Sequence, residues 1–412
     1  MRKMLSVMLI IALLLATIPA MASTEKRSGV FTYQLLNDGT VKIIKYNGTF
    51  DDNIHIPTFI DGYAVTVIGK EAFSCEGRDD IRFKSVSLTM PDTITTLEHK
   101  AFFHAPINQI NIPASVTLIQ PGALRTFKIV TYNLSKGNSK YALIGGNLYD
   151  KHKKEFLSWC GDYVVDIPEG IFSIADYALN SSPVVDAADS IYLQVPDSLL
   201  TIGDYAFCNA SIDSRDDSAI DLKNVKSIGE YAFCGAYFSD DFILPTSIKT
   251  IPEGAFKNTG IYESYPHPYF GSEYRYFIWH DQIECIEAYA FQGADLNSTF
   301  ATDNEKSTSL SRLPESLEQI EEFAFADSKI FAKEIALTTN LISVSEYAFH
   351  NAGLKKVTLP SDSYGLSANV FNKDEVSLIV DEGSYAEIYA RSEGFAYSYV
   401  NPQEDDLSWL TE

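Results

Sequence analysis

The sequence predicts an α/β solenoid: stacked coils with short parallel strands on one face, short helical or 3-10 turns on the other, and a cap at each end. Two observations carry this prediction. One six-residue phrase recurs ten times, and most steps between successive copies are 22 to 29 residues long. An apolar residue, usually followed by Pro, stands seven residues before most of the phrases. Recurrence at that period is typical of stacked supersecondary units and not of a closed globule.

The first 22 residues predict a signal peptide. Arg2 and Lys3 supply a positive start, residues 5–18 an apolar core, and Ala20-Met21-Ala22 a small-x-small cleavage site. We expect cleavage after Ala22 and a secreted or cell-surface protein. The apolar run is short for a membrane span, so no membrane insertion of the mature chain is expected.

The mature chain is predicted to divide into four parts. Residues 23–55 alternate around Asn37-Asp38-Gly39 and predict a β-hairpin that caps the first coil. Residues 56–380 form the solenoid, with about a dozen coils. Residues 381–400 predict a second cap, made of a short amphipathic helix from Ser384 and a final strand. Residues 401–412 form an acidic tail.

Each phrase has an aliphatic residue, three variable positions, an invariant Ala and then Phe or Leu. We expect a single helical or 3-10 turn, in which the Ala allows close approach to the strands and the Phe or Leu fills the interior. The ten phrases start at Ile68, Leu97, Ile119, Ile174, Ile202, Ile228, Ile251, Ile286, Ile320 and Val344.

Apolar residues alternate upstream of the phrases, as in Ile110-x-Ile112 and Val357-x-Leu359. Period-two alternation predicts a short strand with one buried face. The Pro that follows Ile112 and Leu359 cannot donate to a ladder, so it ends the strand.

These segments resemble the BspA-like leucine-rich repeat family. The resemblance is carried by "LLTIGDYAF", "VKSIGEYAF", "IKTIPEGAF" and "LKKVTLPSDSYGLSANVF", and by the flanking "FTYQLLNDGTVKIIKYNG" and "NSKYALIGGNLYDKHKKEFLSW". It covers residues 30–400 approximately, and it implies a leucine-rich repeat fold in a secreted or surface-displayed protein that binds host or neighbouring-cell ligands, often as an adhesin. It implies no particular ligand and no functional residues. Where the family often has Cys three residues after Phe, this chain has Ala.

The insertion "YESYPHPYFGSEYRYFIW", residues 262–279, is the leading candidate for a contact surface. Insertions in solenoids often emerge on the binding face, and aromatic side chains provide large contact areas. The alternative is that its second half forms a buried strand, "YRYFIW". The candidate ligand-binding residues are Tyr262, Tyr265, Tyr269, Phe270, Tyr274, Tyr276 and Trp279.

Two further rows follow from stacking the phrases. An acidic residue two positions after the aliphatic start could bind cations or a basic ligand, but pairing with exposed amide groups at the turn is the favoured interpretation. An aromatic residue at the next position could contact sugars or proteins, but packing against the adjacent coil is sufficient to explain it. The two rows are Asp176, Asp204, Glu230, Glu253, Glu322 and Glu346, and Tyr177, Tyr205, Tyr231, Tyr289, Phe323 and Tyr347.

Cys208 and Cys234 follow the Phe of successive phrases, so stacking would bring their α-carbons within disulfide range; two reduced thiols are the alternative. The acidic loop that contains Asp213, Asp216, Asp217 and Asp221 could hold Ca²⁺, but it lacks the spacing of an EF-hand, and a solvated turn is favoured. No motif of a nucleophile, a phosphate-binding loop or a Cys/His metal site is present, so we expect no catalytic residue, no metal and no cofactor.

Acidic residues dominate the chain, with 55 Asp and Glu against 32 Lys and Arg and a net charge of −23. This balance argues against nucleic acid and anionic membranes as partners. We therefore expect an exported, non-enzymatic interaction protein, adhesin-like. It would bind a macromolecular ligand, such as a host or neighbouring-cell surface protein or a matrix component, through its sheet face and the aromatic insertion. The alternatives are a carbohydrate-binding module that stacks sugars on Tyr and Trp, and a purely structural surface spacer.

Overall fold

The computed structural model describes residues 24–76, 84–126, 130–180, 191–214, 220–261, 276–296, 298–300 and 310–400. The predicted signal peptide and acidic tail lie outside these residues. The chain divides into two compact units, Met1–Ser139 and Lys140–Glu412. The domain boundaries proposed from the sequence, including one unbroken solenoid over residues 56–380, stay a prediction. Among the described residues, no helix has the length and apolar composition needed to cross a membrane.

The first unit is built from two sheets. Its described strands are β1 Lys26–Ser28, β2 Phe31–Leu35, β3 Val41–Tyr46, β4 Ile54–His55, β5 Phe59–Ile60, β6 Tyr63–Ile68, β7 Val86–Thr89, β8 Thr96–Leu97, β9 Ile107–Ile112, β10 Leu118–Ile119 and β11 Thr131–Leu134. One sheet has the order β1-β2-β3-β6-β8-β10, with β5 paired to β6, and the other has the order β11-β9-β7-β4. Strands of successive coils pair in parallel.

The predicted N-terminal hairpin is present as β2 and β3, which pair antiparallel. Gly39 takes a φ of 79° in the connecting turn. The Asp38 carboxylate accepts hydrogen bonds from the Thr40 amide, at 2.9 Å, and from its hydroxyl, at 2.7 Å. These bonds lower the pKa of Asp38 and fix the turn locally. β3 then pairs in parallel with β6, which joins the hairpin to the first coil.

The second unit repeats the same plan over more coils. Its described strands are β12 Tyr141–Ile144, β13 Asn147–Asp150, β14 Glu155–Ser158, β15 Val164–Asp166, β16 Ser173–Ile174, β17 Ile191–Gln194, β18 Thr201–Ile202, β19 Ser211–Ser214, β20 Ile220–Asp221, β21 Ser227–Ile228, β22 Tyr237–Phe238, β23 Phe242–Ile243, β24 Thr250–Ile251, β25 Gly260–Ile261, β26 Phe277–Trp279, β27 Cys285–Ile286, β28 Ser298–Phe300, β29 Leu310–Arg312, β30 Gln319–Ile320, β31 Phe331–Ala336, β32 Ser343–Val344, β33 Lys356–Thr358, β34 Ser377–Val380 and β35 Ala396–Tyr399. Its single described helix is α1, Tyr385–Glu393.

These strands form five sheets. Their orders are β12-β13-β14-β16-β18-β21, β15-β17-β19-β22-β25, β20-β23-β26-β28, β24-β27-β30-β32 and β29-β31-β33-β34-β35. Two of them, the first and the fourth, contain the two-residue strands that begin the phrases. Parallel strands therefore line the phrase side of the coils as well, and the prediction that strands occupy one face only is wrong.

The phrase that begins at Ile202 is a series of β-turns. The amides of Tyr205, Phe207 and Asn209 donate to carbonyls of the following coil, whereas those of Ala206 and Cys208 donate three residues back in their own phrase. A helix needs every amide to point back along its own chain. Tyr205 and Asn209 also take positive φ angles of 54° and 58°, which a right-handed helix does not contain. The prediction of a helical or 3-10 turn is wrong for this phrase.

A column of Phe rings forms the centre of the second unit. Rings at the predicted interior position stack on the next coil with centroids 5.2 to 5.4 Å apart and interplanar angles of 1° to 19°. The column removes from water the apolar edge that each coil presents to its neighbour. Its members are Phe207, Phe233, Phe256, Phe291, Phe325, Phe349 and Phe371.

The predicted C-terminal helix and strand are present as α1 and β35, and β35 pairs in parallel with β34. Ser384 caps the helix by accepting a hydrogen bond from the Glu387 amide at 3.2 Å. The Glu387 carboxylate in turn accepts from the Gly383 amide at 2.7 Å and from the Tyr399 hydroxyl at 2.9 Å. This arrangement resembles a capping box, except that the Glu387 carboxylate binds the amide before the cap residue, and it ties the start of the helix to the last strand.

Candidate interaction surface

The structure places two of the predicted ligand-binding residues in the interior. Trp279 is 0% exposed and Tyr276 is 5% exposed. The Trp279 ring packs on Phe277 and Phe291, with centroids 5.3 and 4.8 Å away. Tyr276 and Trp279 therefore cannot contact a ligand, and the prediction is wrong for them. The alternative of a buried strand in the second half of the insertion is confirmed by β26.

The other five predicted residues, Tyr262, Tyr265, Tyr269, Phe270 and Tyr274, lie outside the described residues. Both ends of their segment are nonetheless fixed. β25 pairs with β22, and β26 pairs with β23 so that Phe277 stands opposite Phe242. The preceding coil connects the equivalent strands through residues 239–241 alone. Residues 262–275 are therefore an insertion where the preceding coil has only residues 239–240.

Carboxylates of the predicted acidic row bind backbone amides of neighbouring coils. Asp176 accepts from the Asp204 amide, and Asp204 accepts from the Glu230 amide, both at 2.9 Å. The residue directly before each donating amide is a glycine, Gly203 or Gly229. A Cβ at either position would lie within about 2.6 Å of backbone atoms of the preceding coil. These bonds support a structural role for Asp176 and Asp204, but the amides that they bind belong to the next coil and not to the start of their own turn.

Farther along the second unit the accepting carboxylate moves to the position directly after the aliphatic start, outside the predicted row, and the direction of the bonding reverses. The Glu253 amide donates forward to Glu287, at 3.0 Å, and the Ala288 amide donates forward to Glu321, at 3.1 Å. The reversal falls between the sheet that ends at β21 and the sheet that begins at β24. Each coil thus takes its acceptor from the previous coil on one side of the break and from the next coil on the other side.

The acidic row is also a source of like-charge repulsion. Burial and, after it, the carboxylates of Asp204, Glu253 and Glu287 raise the pKa of Glu230. No group of three or more side chains that could hold a metal occurs in the described ranges. Of the proposed calcium loop, Asp216 and Asp217 lie outside those ranges.

The predicted aromatic row forms two ring stacks. Tyr177, Tyr205 and Tyr231 stack at 5.0 Å with nearly parallel planes. A second stack joins Tyr289, Phe323 and Tyr347 at 5.4 and 5.0 Å. Each ring covers its neighbour in the next coil, which supports the packing interpretation of the row. The first stack ends at Gly254, where a Cβ would lie 2.8 Å from Cζ of Tyr231.

In the first unit, the outward side of one sheet carries a row of uncharged polar side chains. The strand register aligns Thr89, Asn111 and Asn133. The Asn133 amide donates to Asn111 Oδ1 at 2.8 Å, and the Asn111 amide donates to Thr89 Oγ1 at 3.3 Å. In the second unit, β15 and its neighbour β17 expose Val164 and Tyr192, which stand opposite each other.

The C-terminal end of the second unit exposes a group of large apolar side chains, which we call the C-terminal apolar strip. It consists of Ile342, Tyr364, Tyr385 and Ile388, which are 61%, 67%, 52% and 59% exposed. The bridge between Val344 and Leu366 places Ile342 beside Tyr364. The Tyr364 and Tyr385 rings are 4.3 Å apart, and Ile388 follows one turn later on the helix.

Sequence reasoning missed this strip, although the repeat contains its signal. Ile342 and Tyr364 stand two residues before the aliphatic position of their coils. Four other coils have Lys226, Lys249, Glu284 or Glu318 at that position. The same position is also apolar at Phe172 and Leu200, so the signal is the change from four consecutive charged coils to two apolar residues at the C-terminal end.

Cys208 and Cys234 are not joined by a disulfide, and none of the five cysteines is part of one. The thiol of Cys208 hydrogen-bonds to the sulfur of Cys234. Cys208 and Cys234 are therefore neighbours, as the sequence predicts, and both thiols are reduced.

The repeat units match a described family over most of the chain. A family model described as "BspA type Leucine rich repeat region (6 copies)" matches residues 36–130, 82–154, 151–267 and 297–392. None of the curated proteins compared with the chain matches it.

Several solved structures of bacterial leucine-rich repeat proteins are similar to the chain. A leucine-rich repeat protein of Eubacterium ventriosum is 17% identical, with 81% of this chain and 96% of that chain covered and a TM-score of 0.46. The pneumococcal vaccine antigen PcpA is 13% identical, with 92% and 99% covered and a TM-score of 0.33. A leucine rich cell surface protein of Faecalibacterium prausnitzii is 14% identical, with 93% and 96% covered and a TM-score of 0.28.

The family matches together span residues 36–267 and 297–392 and confirm the resemblance seen in the sequence. This chain belongs to the BspA-type leucine-rich repeat family.

Proposed function

We propose that the chain is an exported, non-enzymatic interaction protein that binds a macromolecular ligand at a cell surface, in the manner of an adhesin. The ligand would be a surface protein of a host or neighbouring cell, or a matrix component. Export rests on the predicted signal peptide with cleavage after Ala22, and on the name of the F. prausnitzii relative, which is called a cell surface protein.

One observation carries the proposal: the aromatic insertion at residues 262–275. The preceding coil has only Ser239 and Asp240 in place of this segment, so the fold does not require the longer one. The insertion contains five aromatic residues and lies between β25 and β26. Segments inserted between the coils of a repeat scaffold are common sites of recognition.

The C-terminal apolar strip supports the same conclusion. Its four side chains are all more than half exposed, in a chain whose net charge is −23. Contiguous exposed apolar side chains with a polar surround are typical of protein-binding surfaces.

The preceding coil supplies the design of the test. Residues 262–275 would be replaced by Ser-Asp, copied from residues 239–240, which keeps Tyr276 opposite Asp241 and leaves β25 and β26 in register. A second variant keeps the length and changes Tyr262, Tyr265, Tyr269, Phe270 and Tyr274 to Ser. Both would be compared with the unchanged mature chain for capture of surface and matrix proteins, with circular dichroism and melting as folding controls.

We expect both variants to fold and to lose at least tenfold in capture, because aromatic anchors dominate binding energy. Full capture by the Ser-Asp variant would remove the insertion from the mechanism. If no surface or matrix fraction binds the unchanged chain, the alternative of a structural spacer is favoured.

A second candidate function is glycan binding. It is favoured by the exposed side chains of Tyr163, which directly precedes β15, and Tyr192, which lies on the neighbouring β17 and donates its amide to the Tyr163 carbonyl at 2.7 Å; both rings could stack on sugars. A glycan array distinguishes the two functions: binding that is lost in Tyr192→Ala but kept in the Ser-Asp variant would support glycan recognition by this face. An array without signal, together with captured protein ligands, would exclude it.

A further inference from the structure

Cys208 and Cys234 occupy the same position in two neighbouring coils. β18 and β21 pair Ile202 with Ile228, and the same offset relates the two cysteines. On one side of the pair, Phe207 and Phe233 stack at 5.2 Å with an angle of 4°. On the other side, the Asn209 amide donates to the Cys234 carbonyl at 2.8 Å. The backbone thus holds the cysteines one strand spacing apart, about 5 Å, which lies within the α-carbon range of disulfides.

The two thiols also touch, and their surroundings differ from those of the other partly buried cysteines. The hydrogen bond from Cys208 lowers the pKa of Cys234, burial opposes this change, and the Lys257 ammonium of the next coil adds to it. Burial instead raises the pKa of Cys160, and raises that of Cys285 to about 11. The thiolate is the attacking nucleophile in disulfide exchange. Among Cys160, Cys234 and Cys285, Cys234 is therefore the favoured nucleophile.

We propose that Cys208 and Cys234 are a redox-responsive pair that forms a reversible disulfide between adjacent coils when the protein meets a disulfide donor. The Cys234 thiolate attacks one sulfur of a small-molecule disulfide such as oxidised glutathione, which forms a mixed disulfide and releases one thiolate. That thiolate takes the proton of Cys208, and the Cys208 thiolate then attacks the Cys234 sulfur and expels the second thiolate. Two protein thiols are oxidised, and one small disulfide is reduced.

The bridge would act on the scaffold and does not depend on which ligand the protein binds. It would close a covalent loop from Cys208 to Cys234. This loop spans one full repeat and includes the acidic loop that contains Asp213 and Asp221. Separation of these two coils would then require reduction as well as loss of packing. The exported location proposed above is the setting in which such a bond persists.

Thiol counting on the mature full-length chain tests the proposal. The reduced protein is incubated with oxidised glutathione, denatured in acid, alkylated and weighed intact, and its unreduced digest is mapped. We expect the alkylated thiols to fall from five to three, with a single cross-linked peptide that joins Cys208 to Cys234 and disappears with dithiothreitol. The oxidised form should melt roughly 5 °C higher, because the unfolded chain is constrained.

Serine variants provide the matched controls. Cys208→Ser and Cys234→Ser should each abolish the loss of two thiols, whereas Cys160→Ser should leave it unchanged. Five alkylated thiols after oxidation, or a cross-link through another cysteine, would overturn the proposal. A glutathione adduct that persists on Cys234 would also overturn it, because it would show that Cys208 cannot complete the exchange.

Discussion

Phe256→Ala would remove one ring from the middle of the Phe column. The side chain is fully buried and lies between the stacked rings of Phe233 and Phe291, at 5.4 and 5.3 Å. It also meets the edges of Phe242 and Phe277, at 5.6 and 4.9 Å. A buried Phe→Ala change costs about 3 to 5 kcal/mol. Because four ring contacts are lost at once, we expect about 4 kcal/mol.

The repeat itself supplies the control, since Leu124 and Leu179 occupy the equivalent position in other coils. Phe256→Leu should therefore cost only about 1 to 1.5 kcal/mol. Urea unfolding would measure the difference in free energy between the two variants and the unchanged chain. Native-state hydrogen exchange would locate it, because each coil of a solenoid contacts only its neighbours.

We expect the Ala variant to lose exchange protection at residues 228–261 and 283–296, with little change from β33 to β35. The reasoning would be refuted by an Ala variant within about 1 kcal/mol of the unchanged chain. A loss of protection spread evenly over the whole second unit would refute the assumption of local coupling.

Three further predictions concern single side chains. Asp204→Ala should destabilise the chain by about 1 kcal/mol in urea titrations, because the partly exposed Glu230 amide loses its acceptor, whereas Asp204→Asn keeps an oxygen there and should stay within about 0.5 kcal/mol. Gly229→Ala should cost about 2 to 3 kcal/mol even when combined with Asp204→Ala, because the added Cβ meets the backbone of the preceding coil; rescue in the double variant would contradict this. Burial, aided by Arg125 and Lys100, lowers the pKa of His104 to about 4, so the unfolded state binds the proton first. The contribution of His104 to stability should be complete above pH 6.5 and should fall towards pH 4 by about 1 to 2 kcal/mol, after allowance for partial solvent contact. His104→Asn should remove this part of the pH dependence, because Asn tolerates the positive φ at this position.

The apolar pattern of the sequence predicts the coils and the core well. The phrase positions fall on successive strands, and the Phe of each phrase from Ile202 onward enters the column. The conformation of the phrase was not predictable in the same way. Whether the Tyr205 amide points back along its phrase or out to Glu230 depends on the next coil, which local helix propensity does not describe.

The candidate site shows the same division. The large number of aromatic residues singled out residues 262–279. That number alone does not show which rings lie at the surface and which lie in the core. Aligning Phe277 with Phe242 across coils would have assigned Tyr276 and Trp279 to the interior. The C-terminal apolar strip depends on a column of the repeat and on the helix that follows it, so no single segment reveals it.

The reversal of the carboxylate–amide bonds between β21 and β24 limits how this protein can be lengthened. A coil copied from the Asp204 side needs a carboxylate acceptor in the preceding coil, whereas a coil from the Glu287 side needs one in the following coil. Transplanting either across the junction would strand an amide without an acceptor. Gene duplication and design would therefore succeed with blocks taken from one side, and the repeats, although alike in sequence, are not interchangeable parts.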